Sequence, residues 1–302
     1  MEATHERYGR AFAPGHVTGI FAPAEGARDP RARGSRGAGI VLSLGVTATA
    51  AFRPGRRRRL VVSSDAGTPL PISEEAARHL APEEPGTLRV HLEHALPIGQ
   101  GFGMSAAGAT ATALAVGALS DVAPRRAFEV AHLADLLGGG GLGGVAAIAG
   151  GGLEVRDRPG IPPFGHVLHR PVDRPLFLGV VGPALPSPRI LGDPMALARV
   201  AAASPELDAL VRTPDLATFF AASERFTDAV GLAPPTLRRT LAALRWQGAW
   251  AAQAMFGRSF FAMPRTPGAR SAVLGWLERS GVRAVEVAPG RRGARRLPPQ
   301  PF

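Results

Sequence analysis

Pro97-Ile98-Gly99-Gln100-Gly101-Phe102-Gly103-Met104-Ser105-Ala106-Ala107-Gly108 is the chemically loudest stretch of the chain. Three glycines at alternate positions leave no Cβ to obstruct backbone N–H groups converging on an anion. The alanine-rich run that follows, about 105–120, reads as a helix, which brings its free N–H groups and positive dipole end to the same place. Ser105 can cap that helix or turn its hydroxyl toward a phosphate or Mg²⁺. Ala106, Ala107 and Gly108 let a ligand approach closely. A P-loop is excluded, because no Gly-Lys-Ser/Thr is present. A dinucleotide fingerprint is half present as Gly101-x-Gly103-x-x-Ala106, but the stretch that should hold its second strand and acidic end reads as helix, with Asp121 as a cap. A purely structural glycine turn is the bland alternative. Phosphate cradling by a loop that is neither P-loop nor Rossmann is the better reading.

The elements around this loop suggest strands first and helices second. Leu88, Val90 and Leu92 alternate with Arg89, His91 and Glu93, so a half-buried strand enters the loop through Leu96-Pro97. Residues 17–21 and 40–52 are β-prone, and 60–64 follow a Pro54-Gly55 turn, with Arg56 to Arg59 at a hairpin tip. Pro124 opens a second helix that ends at Leu137. Residues 138–144 read as a flexible glycine joint, 153–156 as a strand, and 159–165 as an interdomain linker. The second half opens with a buried strand at 176–181 and continues mainly helical over 194–253. A helix at 269–280, a strand at 284–287 and a basic, proline-rich tail close the chain.

Composition narrows the chemistry. A chain of 302 residues suggests about two domains. The 35 basic residues against 24 acidic ones give +11, and every basic residue is arginine. Without lysine there is no Schiff base and no lysine base; without cysteine there is no disulfide, thiolate metal site or cysteine nucleophile. The charge invites nucleic acid, but the arginines are spread along the chain, and one tyrosine with no interleaved basic-aromatic run leaves little for bases to stack on. Nucleic-acid binding is therefore not expected. The polar N-terminus has no signal core, and the longest apolar run, about fourteen residues at 106–119, is shorter than the ~20 a membrane span needs. A cytoplasmic protein without a membrane segment is the expectation.

The glycine loop resembles the second motif of the GHMP kinases, in which a Pro-x3-Gly-Leu-Gly-Ser-Ser-Ala loop embraces the ATP phosphates. Four further segments strengthen the likeness: 13–21 (Ala-Pro-Gly-His-Val-Thr-Gly-Ile-Phe), 34–39 (Gly-Ser-Arg-Gly-Ala-Gly), 162–165 (Pro-Pro-Phe-Gly) and 253–257 (Gln-Ala-Met-Phe-Gly). Together, over about residues 11–262, they resemble the archaeal-type pantoate kinase branch. The resemblance implies an α+β fold with a ribosomal-S5-like N-terminal domain, placed at 1–165, and a ferredoxin-like C-terminal domain, placed at 166–302. It implies transfer of phosphate from ATP to pantoate with Mg²⁺, a step of coenzyme A synthesis, in an enzyme that can form a homodimer.

Pro97, Gly99, Gly101, Gly103, Met104, Ser105, Ala106 and Ala107 would then bind ATP. Ser105 and Asp135 would be the catalytic pair that holds the metal, with Asp135 standing where the family usually has glutamate. Mg²⁺ takes one or two carboxylates plus phosphate oxygens, so that pair is a sufficient protein share. His16, Ser35, Arg36 and Arg156 would lie on the substrate side, where an arginine can grip a carboxylate in bidentate fashion.

The chain departs from the family at one decisive place. The family continues Gly-Leu-Gly-Asp-Val, its aspartate serving as base for the substrate hydroxyl; here Gly141-Leu142-Gly143-Gly144-Val145 puts Gly144 there. Loss of a general base typically costs ~10²–10⁴-fold. Positioning alone can suffice at reduced rate, another group can serve, or the protein is a nucleotide-binding pseudokinase. His132, one turn before Asp135, is the nearest spare base in sequence. Arg258 for asparagine and Ala252 for serine are lesser departures. Another GHMP small-molecule kinase is the remaining alternative.

Overall fold

A computed structural model of the protein describes residues 6–24, 26–184, 190 and 192–301. Two long strands, β1 (Arg7–Ala24) and β2 (Gly34–Pro54), form its spine. β2 divides its outer edge: Gly37 to Ile40 pair with β5 (Leu153–Arg158), and Val46 to Pro54 pair with β4 (Gly86–His94). β3 (Arg59–Ser64) lies beyond β4, β6 (His166–Arg170) beyond β5, and the tail strand β11 (Arg295–Leu297) against β1, which completes a seven-stranded sheet. The β1–β2 register shifts between Pro14 and His16 and between Thr18 and Ile20, so irregular backbone brackets His16 and Thr18.

From the same half of the chain, α2 (Met104–Ala118) packs on this sheet, with α1 (Pro71–Leu80), α3 (Pro124–Leu137) and the short α4 (Gly144–Ala147) against it. α2 is buried from Ala106 to Gly117. A helix apolar on every face belongs in the interior, and its alanines and glycines let α1, α3 and the sheet approach it closely.

The second sheet is four-stranded: β7 (Leu176–Val180), β8 (Ala249–Gln253), β9 (Ser259–Pro264) and β10 (Ala284–Val287), in the order β10-β7-β9-β8. All its pairings are antiparallel. Helices α5 (Pro194–Ala203), α6 (Glu206–Arg212), α7 (Leu216–Val230) and α8 (Pro235–Trp246) separate β7 from β8, and α9 (Pro267–Ser280) separates β9 from β10. That succession and strand order are those of the ferredoxin-like fold, enlarged by extra helices in its first crossover. One apolar core runs from β1, β2 and α2 into Phe219, Phe220, Phe226 and Phe261; a smaller one under β7 and β9 holds Phe177, Leu237, Leu241 and Phe260.

Several local expectations need correction. Residues 159–165 do not link two domains: they connect β5 to β6, neighbours in the first sheet, so a boundary at 165/166 cuts a hairpin. Arg56 to Arg59 are not at a hairpin tip, since β3 pairs with β4 in parallel rather than with β2. Asp121 caps nothing; it takes a left-handed φ of 51° in the turn before α3, whose N-cap is Ala123. The tail contributes a strand, and α1 has no counterpart in the sequence reading.

Candidate active site

The glycine loop joins β4 to α2 and is held open by backbone conformation. Gly99, Gly101 and Gly103 all take left-handed φ values, 74°, 75° and 70°, which a side chain would strain. Space forbids a side chain as well: a Cβ on Gly101 would lie 2.7 Å from the Ala254 carbonyl oxygen, and one on Gly103 3.0 Å from the His16 backbone. The loop is braced from the second sheet. Gln100 Nε2 donates to the Gly182 carbonyl at 3.0 Å, and the Ser259 hydroxyl donates to the Gln100 carbonyl. The 253–257 segment is thus the backing of the glycine loop. On the other side the His16 N–H donates to the Phe102 carbonyl at 3.0 Å.

Gly103 is the N-cap of α2, and the first intrahelical bond into it comes from Ala107 N–H, 3.0 Å from the Gly103 oxygen. The N–H groups of Met104, Ser105 and Ala106 precede that bond, so they can face an anion together with the dipole end. Ser105 sits within the first turn, exposed to the cleft, and its hydroxyl donates to Asp135 Oδ1 at 2.8 Å.

Asp135 reaches this point from the last turns of α3. It is buried, and the run 138–141 wraps its carboxylate, with the Gly141 N–H donating to it. A Cβ at Gly140 would collide with Asp135 Oδ1, so the glycines here are wrapping rather than a joint. Burial raises the Asp135 carboxyl from its ordinary 3.8 to about 6, against the opposing hydrogen bonds from Ser105 and Gly141. Among the described residues no cationic side chain pairs with it. A buried carboxylate supplied with only neutral donors suits a divalent cation, which would offset the cost of its charge.

A second polar cluster lies across the cleft. His16 Nε2 is 2.7 Å from Glu154 Oε1, and Arg156 Nη1 donates to the same oxygen; all three residues are buried. Arg156 Nε and Glu154 Oε2 are buried and have no hydrogen-bond partner among the described residues. Gly143 is where Arg156 and Ser35 converge: a Cβ there would lie 2.7 Å from both Arg156 Nε and Ser35 Oγ.

Ser105 and Asp135 from the first cluster and His16, Ser35 and Arg156 from the second line one cleft of about 580 Å³, with Glu154 behind them. Its remaining wall, Thr68 to Ile72 with Ile98, is largely apolar and suits a nucleoside base.

The chain is similar in sequence and fold to known proteins. The GHMP kinases N-terminal domain family matches residues 72–152, the span that contains all of α1 but Pro71, the glycine loop and Asp135. A pantoate kinase of Methanospirillum hungatei is 30% identical over 258 residues, which cover 84% of this chain and 86% of that protein. A pantoate kinase of Thermococcus kodakarensis is 37% identical over 162 residues, 52% of this chain and 54% of that protein. The chain belongs to the GHMP kinases. The fold agrees: a solved structure described as a phosphotransferase related to the CoA biosynthesis pathway superposes with a TM-score of 0.87 at 27% identity, covering 96% of this chain and 99% of that one. Homoserine kinase from Cytophaga hutchinsonii shares the fold, with a TM-score of 0.69 at 14% identity over 98% and 99% of the two chains.

In this GHMP kinase Gly99, Gly101, Gly103, Met104, Ser105, Ala106, Asp135, His16, Ser35 and Arg156 all line the cleft. Three expected residues do not. Pro97 lines a neighbouring hollow with Asp65 and Leu96, and Ala107 is fully buried one helical position behind the loop. Arg36 is turned away because alternation along β2 points Ser35 and Arg36 to opposite faces; its Nη2 donates to Asp208 Oδ1 on α6 at 2.9 Å. His132 is also outside: its Nε2 lies 3.3 Å from the Pro30 carbonyl oxygen, and burial lowers its pKa. Sequence reading passed over Glu154 and Thr18. The period-2 pattern carried the only signal, since each sits two positions from a residue that was singled out, Arg156 and His16.

Proposed function

We propose that this kinase transfers the γ-phosphoryl group of ATP to the terminal hydroxyl of pantoate, with Mg²⁺, to give 4-phosphopantoate and ADP on the way to coenzyme A. The observation that carries the choice of acceptor is the buried Arg156 Nε, without a hydrogen-bond partner among the described residues, beside Ser35 Oγ where both residues line the cleft. A short hydroxy acid can place its carboxylate on that pair and its hydroxyl toward the glycine loop. The names of the two sequence relatives point to the same acceptor.

Phosphoryl transfer needs in-line positioning and charge neutralisation more than covalent help from the protein. The glycine loop and the first turn of α2 hold the phosphates, and the braces from Gly182, Ser259 and His16 keep those N–H groups in place without reorganisation. Ser105 and Asp135 would hold Mg²⁺, which supplies charge neutralisation at the transferring group. Arg156 and Ser35 orient the acceptor.

The test is ADP release by the purified protein, with and without Mg²⁺, using pantoate, mevalonate, homoserine or no acceptor. Mg²⁺-dependent release with pantoate, well above that with the other acceptors, is expected. ATP binding without release in any mixture would refute the reading.

A further inference from the structure

Four titratable side chains line the cleft among the described residues: His16, His94, Asp135 and Arg156. An alcohol that accepts a phosphoryl group must lose a proton, and most of these groups cannot take it. Arg156 is permanently charged. Asp135 is committed to Ser105 and the metal position. His94 stands by Thr68 and Ile98 at the nucleoside end, its Nδ1 tied to Asp65 Oδ1 at 3.1 Å. Position 144 has no side chain, and its space is closed: a Cβ there would lie 2.6 Å from the Ala106 Cβ.

His16 remains, and its hydrogen bonds determine its tautomer. Burial opposes ionisation of Glu154, but the Arg156 charge and the hydrogen bonds from His16 and Arg156 outweigh it and hold its carboxyl below the usual value. An ionised Glu154 can only accept, so His16 Nε2 carries the hydrogen of the 2.7 Å contact. Nδ1 of the neutral ring is then a lone pair. It faces Thr18 Oγ1 at 3.4 Å, and Thr18 is half-buried on the cleft wall, two positions along the same strand face.

We propose, on the basis of the kinase reading above, that Thr18 and His16 form the proton path of the reaction, with Glu154 as positioning residue. As the acceptor oxygen bonds the γ-phosphorus and the bond from that phosphorus to the nucleoside diphosphate breaks, the hydroxyl proton passes to Thr18 Oγ1. Thr18 gives its own proton to His16 Nδ1, and the imidazolium is held by Glu154 through Nε2–H. The proton returns to water by the same path after the products leave. Burial is the main influence that lowers the His16 pKa, Glu154 opposes it, and Arg156 and His169 add to it, so the ring is neutral near pH 7 and ready to accept.

The experiment measures kcat against pH for the full chain and its variants with the best hydroxy-acid acceptor. Wild-type kcat is expected to rise with pH through one ionisation below the ordinary imidazole range, ~6.5. His16→Gln and Thr18→Val are expected to lower kcat ~10²–10⁴-fold with little change in KM, and Thr18→Ser to restore most of it. Glu154→Gln is expected to move the rising limb to lower pH, because the imidazolium loses its anion; a packing role alone would not move it. Wild-type kcat and pH profile in both His16→Gln and Thr18→Val would overturn the proposal. If these variants fail to fold, the ¹⁵N titration of His16 in the wild type must share its midpoint with the kcat limb, and a mismatch overturns the proposal instead. A wild type inactive on every acceptor overturns the kinase reading and the relay together, whereas an active enzyme indifferent to these changes overturns the relay alone.

Discussion

Replacing Asp135 by asparagine should make the ligand-free protein more stable while it removes metal-dependent function. The carboxyl is held at about 6 instead of 3.8, a difference of about 2 units, which at 1.36 kcal/mol per unit is about 3 kcal/mol. The sign follows from a folded-state pKa raised above the unfolded one. Stability is fully present below about 3.8 and is lost as pH rises through about 6, because the unfolded chain releases the proton more readily. Asparagine does not titrate and still accepts from Ser105, but its amide leaves one N–H facing another at Gly141, a loss of about 1 kcal/mol. At pH 8 the ligand-free variant should therefore be about 2 kcal/mol more stable than wild type, a rise in Tm on the order of 5 °C for a chain of this size. At pH 5 the titration difference falls to roughly half its value at pH 8, so the advantage shrinks. Mg²⁺-ATP should raise the Tm of the wild type and do much less for the variant. The assay is thermal melting at pH 5 and pH 8, with and without Mg²⁺-ATP. An Asp135→Asn protein less stable than wild type at pH 8, or a difference that does not change with pH, would refute the assignment of Asp135 as a buried carboxylate awaiting a cation.

Gly143→Ala places a methyl 2.7 Å from Arg156 Nε and Ser35 Oγ, so the KM for the acceptor should rise about tenfold or more while the KM for ATP holds, as steady-state kinetics would show. Gly101→Ala combines a left-handed φ with a 2.7 Å approach to the Ala254 carbonyl; a loss of ~1–3 kcal/mol and of nucleotide binding is expected by melting and calorimetry. Gly144→Asp should lose ~1–3 kcal/mol by overpacking against Ala106 without raising kcat, and Ala106→Gly in the same chain should recover the stability. Arg36→Ala removes only the half-exposed pair with Asp208, so Tm should fall by no more than ~1 kcal/mol allows and the acceptor KM should stay put.

How much of this was legible beforehand depended on how local each cause is. The glycine loop could be read directly, because a positive φ and a missing Cβ are properties of single residues next to one another. Ser35, Arg36 and Arg156 were grouped through family likeness; alternation along β2 turns Arg36 away from the other two, toward Asp208, 172 residues distant. Ser105 and Asp135 were paired through family likeness; the spacing alone does not say that α3 turns its last buried carboxyl back toward the start of α2. Glu154 and Thr18 carried no signal of their own, since a glutamate or a threonine in a strand is common in any protein. Their chemistry exists only where β1 and β5 both flank β2 and bring position 154 to position 16.

By itself, then, the sequence determined a chain of short strands and helices with an open glycine turn at 99–103, an alanine-rich helix behind it and no lysine, cysteine or aspartate at 144 for chemistry. These follow from composition, periodicity and backbone sterics, which act over a few residues. The tertiary structure decided that β3 runs parallel beyond β4, that the tail closes the first sheet, that 253–257 braces the glycine loop and that His16, Glu154 and Arg156 form one buried polar cluster. Those are pairings between segments far apart in the chain. They are selected by burial of two shared apolar cores and by the need of each buried charge for a partner, and neither quantity is defined until the chain has folded.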